Sequence, residues 1–164
     1  MKKILLLLTV VAFSSSLTFS QVNPERTTAE GKNVKISYGP IPKRNRDIFG
    51  KLIPYGEVWR TGMNAATEIT FTKDAIFGGK PVKAGTYTLF TIPEKTKWTF
   101  ILNSQLGLWG AFKYNDIKGK DVLQVTVPTS NIYGTPVEKL TISLPAGKLV
   151  LEWDKTKVEV PIKS

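Results

Sequence analysis

The chain has 164 residues, carries 23 Lys and Arg against 13 Asp and Glu for a formal net charge of +10, and contains neither histidine nor cysteine. Those two absences exclude Ser-His-Asp and Cys-His nucleophilic catalysis, thiol redox chemistry, disulfides, and nearly every zinc, copper or haem site. Carboxylate, lysine, arginine, hydroxyl, amide and aromatic groups must supply whatever chemistry there is.

Met1-Lys2-Lys3 is a short basic start, Ile4 to Phe13 an apolar stretch, and Thr18-Phe19-Ser20 a small-residue exit before Gln21. The apolar stretch falls short of the roughly 20 residues that span a bilayer, and serines follow it. It reads as a signal peptide over residues 1–20. An N-terminal extension over 21–32 and a single domain over 33–164 are expected after it, working in the periplasm or outside the cell. The basic residues are mostly lysines spread along the chain, with only Arg26, Arg44, Arg46 and Arg60 able to offer a bidentate fork. A solvated lysine surface is expected, and nucleic acid is not an expected partner. Lys43-Arg44-Asn45-Arg46 sits in a Pro/Gly-bounded stretch and reads as a loop.

Beyond the signal the hydrophobic period is two. Val34, Ile36 and Tyr38 alternate with Lys35 and Ser37; Thr67, Ile69 and Phe71 alternate with Glu68, Thr70 and Thr72; Trp98, Phe100 and Leu102 alternate with Thr99, Ile101 and Asn103. Each predicts a half-buried strand. Tyr87 to Ile92 is apolar on both faces, which predicts a strand covered on two sides. Val122 to Val127, Val137 to Leu144, Leu149 to Trp153 and Val158 to Ile162 continue the series.

Gly78-Gly79 predicts a tight hairpin between Ala75-Ile76-Phe77 and Lys80-Pro81-Val82, because glycine supplies the positive φ of primed turns. Pro93 to Thr96, Pro145-Ala146-Gly147 and Asp154-Lys155-Thr156 have hairpin-loop lengths. Arg46 to Leu52 is the one place for a short helical turn. The fold class expected is all-β: a single antiparallel β-sandwich of jelly-roll type with about nine strands.

The densest run of distinctive chemistry is Pro54 to Thr67. Within it Trp59 offers a flat face, Arg60 a fork for carboxylate or phosphate, and Asn64 both a donor and an acceptor. In an extended segment Glu57, Trp59 and Thr61 share one face and Val58 and Arg60 the other. Trp59 is then either a ligand platform or core, and Arg60 either a ligand contact or the partner of an internal carboxylate such as Glu68. Trp109-Gly110-Ala111-Phe112-Lys113-Tyr114 is a second aromatic cluster, in which Trp109 and Tyr114 read either as a carbohydrate platform or as loop anchors.

Catalysis would rest on carboxylates, and glycoside hydrolysis needs two of them converging in a cleft. Glu57, Glu68, Asp116, Asp121, Glu152 and Asp154 are available, but cross-strand pairs with lysines explain Glu152 and Asp154 equally well. Asn115, Asp116 and Asp121 lack the spacing of a calcium loop, so no metal and no cofactor is expected. Phosphate-binding glycine loops and the GxSxG elbow are absent.

The order of these motifs resembles an exported bacterial family catalogued as domain of unknown function 2911. The resemblance rests on Ile48-Phe49-Gly50, Pro54-Tyr55-Gly56, Val58-Trp59-Arg60-Thr61-Gly62 and Asn64. It continues through Ala66-Thr67, Ala84 to Tyr87, Leu89 to Pro93, Trp98-Thr99, Asn103 and Trp109-Gly110, and ends in Leu149 to Trp153 and Val158 to Pro161. It implies an exported single domain and carries no activity with it.

Three functions follow as expectations. The leading one is a non-catalytic binding module for a glycan or small polar ligand, built on Trp59, Arg60, Asn64, Trp109 and Tyr114. The others are an envelope protein that engages another protein through an aromatic patch or sheet edge, and a hydrolase with a carboxylate pair.

Overall fold

A computed structural model describes residues 26–164; the segment read as a signal peptide lies outside them. In chain order the strands are β1 Thr27–Gly31, β2 Val34–Tyr38, β3 Thr67–Phe71, β4 Ala75–Phe77, β5 Lys80–Val82, β6 Gly85–Pro93, β7 Lys97–Asn103, β8 Asp121–Asn131, β9 Val137–Ser143, β10 Lys148–Asp154 and β11 Thr156–Lys163. A single turn of helix, α1 Tyr114–Ile117, and one of 3-10 helix at Lys118–Lys120 lie between β7 and β8. The expected all-β, antiparallel character is present, and the Gly78-Gly79 hairpin joins β4 to β5 with both glycines at positive φ.

Every strand of the main path is antiparallel to its neighbours, in the order β1-β2-β3-β6-β7-β8-β11-β10-β9. The hinge of this path is β8. Residues 121–128 pair with β7 along one edge, and Thr129, Ser130 and Asn131 pair with Val158, Lys157 and Thr156 of β11 along the other. One continuous sheet therefore carries all nine strands of the path. Where β8 and β11 diverge, the β4–β5 hairpin fills the gap: Phe77 and Ile76 pair with Ile162 and Lys163. Gly78 lies so close to Val125 that an added Cβ would come within 2.7 Å of its methyl carbon.

The sheet curls until it nearly closes into a barrel. The chain leaving β2 runs beside β9, with Leu140 N–H donating to the Ile41 carbonyl at 2.9 Å and Lys43 N–H to the Glu138 carbonyl at 2.6 Å. Tyr38 adds a hydroxyl that accepts from the Ile142 N–H at 3.0 Å. These bonds occupy much of the free edge of β9, which would otherwise be a template for aberrant pairing.

Period-two alternation fills the interior. Val34, Ile36 and Tyr38 of β2, Ile69 and Phe71 of β3, Trp98, Phe100 and Leu102 of β7, and Leu123, Val125 and Val127 of β8 all point inward and are buried. At the centre Trp59 stacks on Trp153 with ring centroids 6.0 Å apart and planes at 21°, and Phe49 meets Trp98 edge-on at 4.9 Å. Burial of this aliphatic and aromatic area together is the main stabilising term of the fold.

One expectation is corrected. Residues 46–52 hold a hydrogen-bonded turn rather than helix, with Phe49 bridged to Ile53; the helical turn lies instead at 114–117. Within the segment 21–32, Thr27–Gly31 forms strand β1 and pairs with β2 along its whole length.

Candidate functional site

The outer face of β3, β6 and β7 is covered, and the site is built in that cover. Phe90 of β6 and Ile101 of β7 are fully buried although they face away from the barrel interior. The segment between β7 and β8 lies over them, packing Leu108, Ala111, Tyr114 and Ile117 onto Phe90, Ile101 and Ala66. Its attachment is polar and specific. Thr88 Oγ1 donates to the Gln105 carbonyl at 2.6 Å, Glu68 Oε1 accepts the Gly107 N–H at 3.2 Å, and Asn103 Nδ2 donates to the Ile117 carbonyl at 2.9 Å and to Asp121 Oδ1 at 2.7 Å.

The far side of this segment is held by the loop at 60–67. Thr67 N–H closes that loop onto the Arg60 carbonyl at 3.1 Å, and Thr61 and Asn64 take positive φ of 57° and 61°. A β-branched residue in the left-handed region is strained, so its surroundings must over-determine it. They do: Thr61 Oγ1 lies 3.0 Å from Thr91 Oγ1, and Thr67 Oγ1 donates to the Thr61 carbonyl at 3.0 Å. Met63 N–H donates to the Gly39 carbonyl at 2.9 Å. Arg26 clamps the loop from outside, its guanidinium reaching the carbonyls of Ala65 and Ala66 and both the hydroxyl and carbonyl of Ser37. Ala65 then bridges Trp109, Ala66 N–H donates to the Leu108 carbonyl at 2.8 Å, and Gly110 N–H donates to the Asn64 carbonyl at 3.0 Å.

Between these supports lies a cleft of about 280 Å³ lined by Phe90, Leu108, Trp109, Phe112, Lys113 and Tyr114, among others. Trp109 is 63% exposed and Phe112 84%, while Tyr114 is half-buried with its ring edge-on to Phe90 at 5.3 Å. The Tyr114 hydroxyl donates to Asp121 Oδ2 at 2.7 Å. Burial, reinforced by that bond and by the carboxylate charge, raises the Tyr114 pKa well above its ordinary value, so the phenol stays neutral.

Of the five residues expected at the site, the cleft brings together Trp109 and Tyr114. Asn64 supports it through its backbone carbonyl. Trp59 is 5% exposed within the aromatic core, where no ligand face is free; the core alternative is where the structure puts it. Arg60 is half-buried and pairs with no carboxylate among the described residues; Glu68, the suggested partner, is bonded to Gly107 instead. Its Nε is buried without a hydrogen-bond partner, and burial lowers its pKa.

Phe90, Phe112 and Lys113 were not among the expected site residues. The signal for Phe90 was available in the two-sided apolar pattern of Tyr87 to Ile92, which requires a cover on the outer face.

The carboxylates are mostly engaged elsewhere. Asp121 accepts from Tyr114, Asn103 and Gln124. Glu152 stands opposite Lys157, Asp154 lies 3.3 Å from Lys43 Nζ, and Glu159 is held by Lys148 and Lys157, which depress its pKa. Among the described residues no group of three or more acidic side chains is placed to hold a metal ion, and no helix is long and apolar enough to cross a membrane.

Fold and surface together define a nearly closed antiparallel β domain with an aromatic cleft built on its outer face. The chain belongs to the family described as protein of unknown function (DUF2911), whose model matches residues 20–162. No curated protein and no solved structure matches it.

Proposed function

We propose that the protein is an exported, non-catalytic binding module that holds a glycan or small polar ligand in the Trp109 cleft. The observation that carries this reading is an indole more than half exposed at the rim of a cleft, on a segment held by backbone bonds to Asn64 and Ala66 and by side-chain bonds from Thr88, Glu68 and Asn103. An exposed aromatic surface kept rigid loses little conformational entropy on binding and offers a face on which a sugar ring can stack. Phe112 extends that face. Asp121, the candidate carboxylate beside the cleft, accepts from Tyr114, Asn103 and Gln124, and Asp154 pairs with Lys43, which disfavours these two as a catalytic pair.

One observation favours a second reading. Leu106, Trp109 and Phe112 are exposed apolar residues on a single segment, which also suits a docking patch for an envelope protein.

Thermal denaturation against neutral and anionic glycans tests the first reading. A ligand at one hundred times its dissociation constant stabilises by about 2.7 kcal/mol, which raises the melting temperature by several degrees. The shift is expected to vanish in Trp109→Ala with the unliganded melting point kept. No shift with any ligand, together with co-purification of one envelope protein that Trp109→Ala releases, would establish the second reading instead.

A further inference from the structure

The hydrogen-bonding groups that line the Trp109 cleft are largely in use. Tyr114 gives its hydroxyl proton to Asp121 Oδ2 at 2.7 Å. Gly107 N–H donates to Glu68 Oε1 and Gly110 N–H to the Asn64 carbonyl, while the carbonyls of Leu108 and Ala111 accept from Ala66 N–H and Tyr114 N–H. The other side chains of the lining are apolar, apart from the exposed Lys113. A sugar brings several hydroxyls, and each one buried without a partner costs free energy. Of the two ligand classes proposed above, the lining therefore suits the small molecule better than the glycan.

Aromatic faces are what the cleft has to offer. Phe90, Trp109, Phe112 and Tyr114 line one space of about 280 Å³. Phe90 and Tyr114 meet edge to face at 5.3 Å, and the Phe112 ring lies against Gly110, where an added Cβ would collide with it. Trp109 and Phe112 keep most of their ring area open. The face of an aromatic ring carries negative charge density and attracts a cation, an indole most strongly.

The charges around the cleft do not oppose a cation overall. Asp121 accepts only from the neutral Tyr114, Asn103 and Gln124, Glu68 accepts from a backbone N–H, and the exposed Asp116 forms no ion pair among the described residues. Against these three stand Lys113, Lys118 and Lys120, of which Lys120 Nζ donates to Gln105 Oε1 at 2.6 Å. Lys113 lies in the lining, but its long stem carries the ammonium out to water. Asp121 is fixed at the hydroxyl of a lining ring, where its negative charge favours a cation on the face of Tyr114.

Resting on the cleft-binding reading above, we infer that the ligand carries a quaternary ammonium group, held among the rings of Trp109, Phe112 and Tyr114. Such a group has no N–H and asks for no acceptor, so a lining whose acceptors are spent loses nothing by enclosing it. A primary amine would need carboxylate or carbonyl partners that this lining does not supply.

The test is isothermal titration of the purified protein, at matched ionic strength, with choline and with dimethylbutanol, the neutral alcohol in which carbon replaces the ammonium nitrogen. Choline is expected to bind about tenfold more tightly than its isostere. Trp109→Ala is expected to abolish choline binding and Trp109→Phe to keep part of it. Lys113→Gln removes the nearest like charge from an exposed position and is expected to tighten binding severalfold. Flotation with phosphatidylcholine vesicles separates two sources of the group: co-flotation that choline competes away assigns a lipid head group, and its absence with choline bound assigns a free small molecule. Equal affinity for choline and the alcohol, or a Trp109→Ala variant that melts normally and binds choline as before, overturns the ammonium assignment. Failure of choline to bind, beside a glycan that raises the melting temperature, overturns it while leaving the binding module standing. Failure of choline and of every glycan overturns both.

Discussion

The hydroxyl of Thr61 lies 3.0 Å from that of Thr91, and this bond spans the interior side of the loop that carries the Trp-Arg-Thr-Gly motif. Thr61 is fully buried at a φ of 57°, where glycine would be less strained. The hydroxyl is the reason threonine stands there: it ties the strained residue to β6 and satisfies a partner that is itself fully buried.

Thr61→Ala is therefore expected to destabilise the protein by about 1–3 kcal/mol, since it keeps the backbone strain and removes the Thr91 partner. Thr61→Gly loses the same bond but relieves the φ, so its loss should be smaller. Urea midpoints at constant slope would rank the two; a larger loss for glycine would show that the positive φ at residue 61 is not a significant strain.

Gly39 and Gly62 let the same loop approach the end of β2. A Cβ on Gly39 would run into the Met63 carbonyl oxygen, a backbone atom that cannot move aside without opening the loop. Gly39→Ala is expected to cost about 1–3 kcal/mol or more as overpacking. Gly119, with nothing near its Cβ position, is the control, and Gly119→Ala should leave the melting temperature within a degree or two.

The four tryptophans separate cleanly by environment. Trp59, Trp98 and Trp153 are at most 5% exposed, whereas Trp109 is 63% exposed. Trp109→Phe should remove nearly all acrylamide-quenchable fluorescence and cost little stability. Trp59→Ala should instead cost about 3–5 kcal/mol, the usual consequence of emptying an aromatic core position. Equal quenching of the wild type and Trp109→Phe would contradict the exposed placement of the indole.

The Tyr114 phenol has a raised pKa in the folded protein because of burial and the bond to Asp121. A raised folded-state value favours the neutral form, so this contribution is fully present below the ordinary tyrosine value near 10 and is lost as the pH climbs through the higher folded one. Tyr114→Phe is expected to lower stability by about 1 kcal/mol at neutral pH and to flatten the decline between about pH 10 and 12. Chemical denaturation at several alkaline pH values checks both; an unchanged decline in the variant would assign it to other tyrosines or to lysines.

Much of the fold was legible because period-two alternation leaves so direct a trace. β2 was read at its observed ends, and the strands at 67, 87, 98, 137, 149 and 158 were found with boundaries off by a few residues at most. The glycine hairpin was legible for the same local reason. Pro128 hid the most consequential error: the β8 pattern was expected to stop at Val127, yet the strand runs on to Asn131. Pro128 stands opposite Lys97 at the last pair of the β7 ladder, where a missing N–H disrupts little, and the three residues beyond it are those that pair with β11. Of the two aromatic runs singled out by composition, the one holding Trp109 and Tyr114 lines the cleft, whereas the run around Trp59 has the same composition and places its indole in the core.

By itself the sequence determined what depends on neighbours along the chain: an antiparallel all-β domain, its turns, and a chemistry without histidine or thiol. Only the tertiary structure decided which aromatics are core and which are surface. Trp59 and Trp109 both sit next to glycine-bearing loops, and nothing local distinguishes them. What separates them is the pairing of Trp59 with Thr91, which turns its indole into the barrel, and the bridge of Trp109 with Ala65, which leaves its indole on the outside. Both pairings join segments more than thirty residues apart in the chain. Burial is a property of the closed sheet, and hydrophobic periodicity records only that one face of a segment is apolar, not which surface the fold will lay over it.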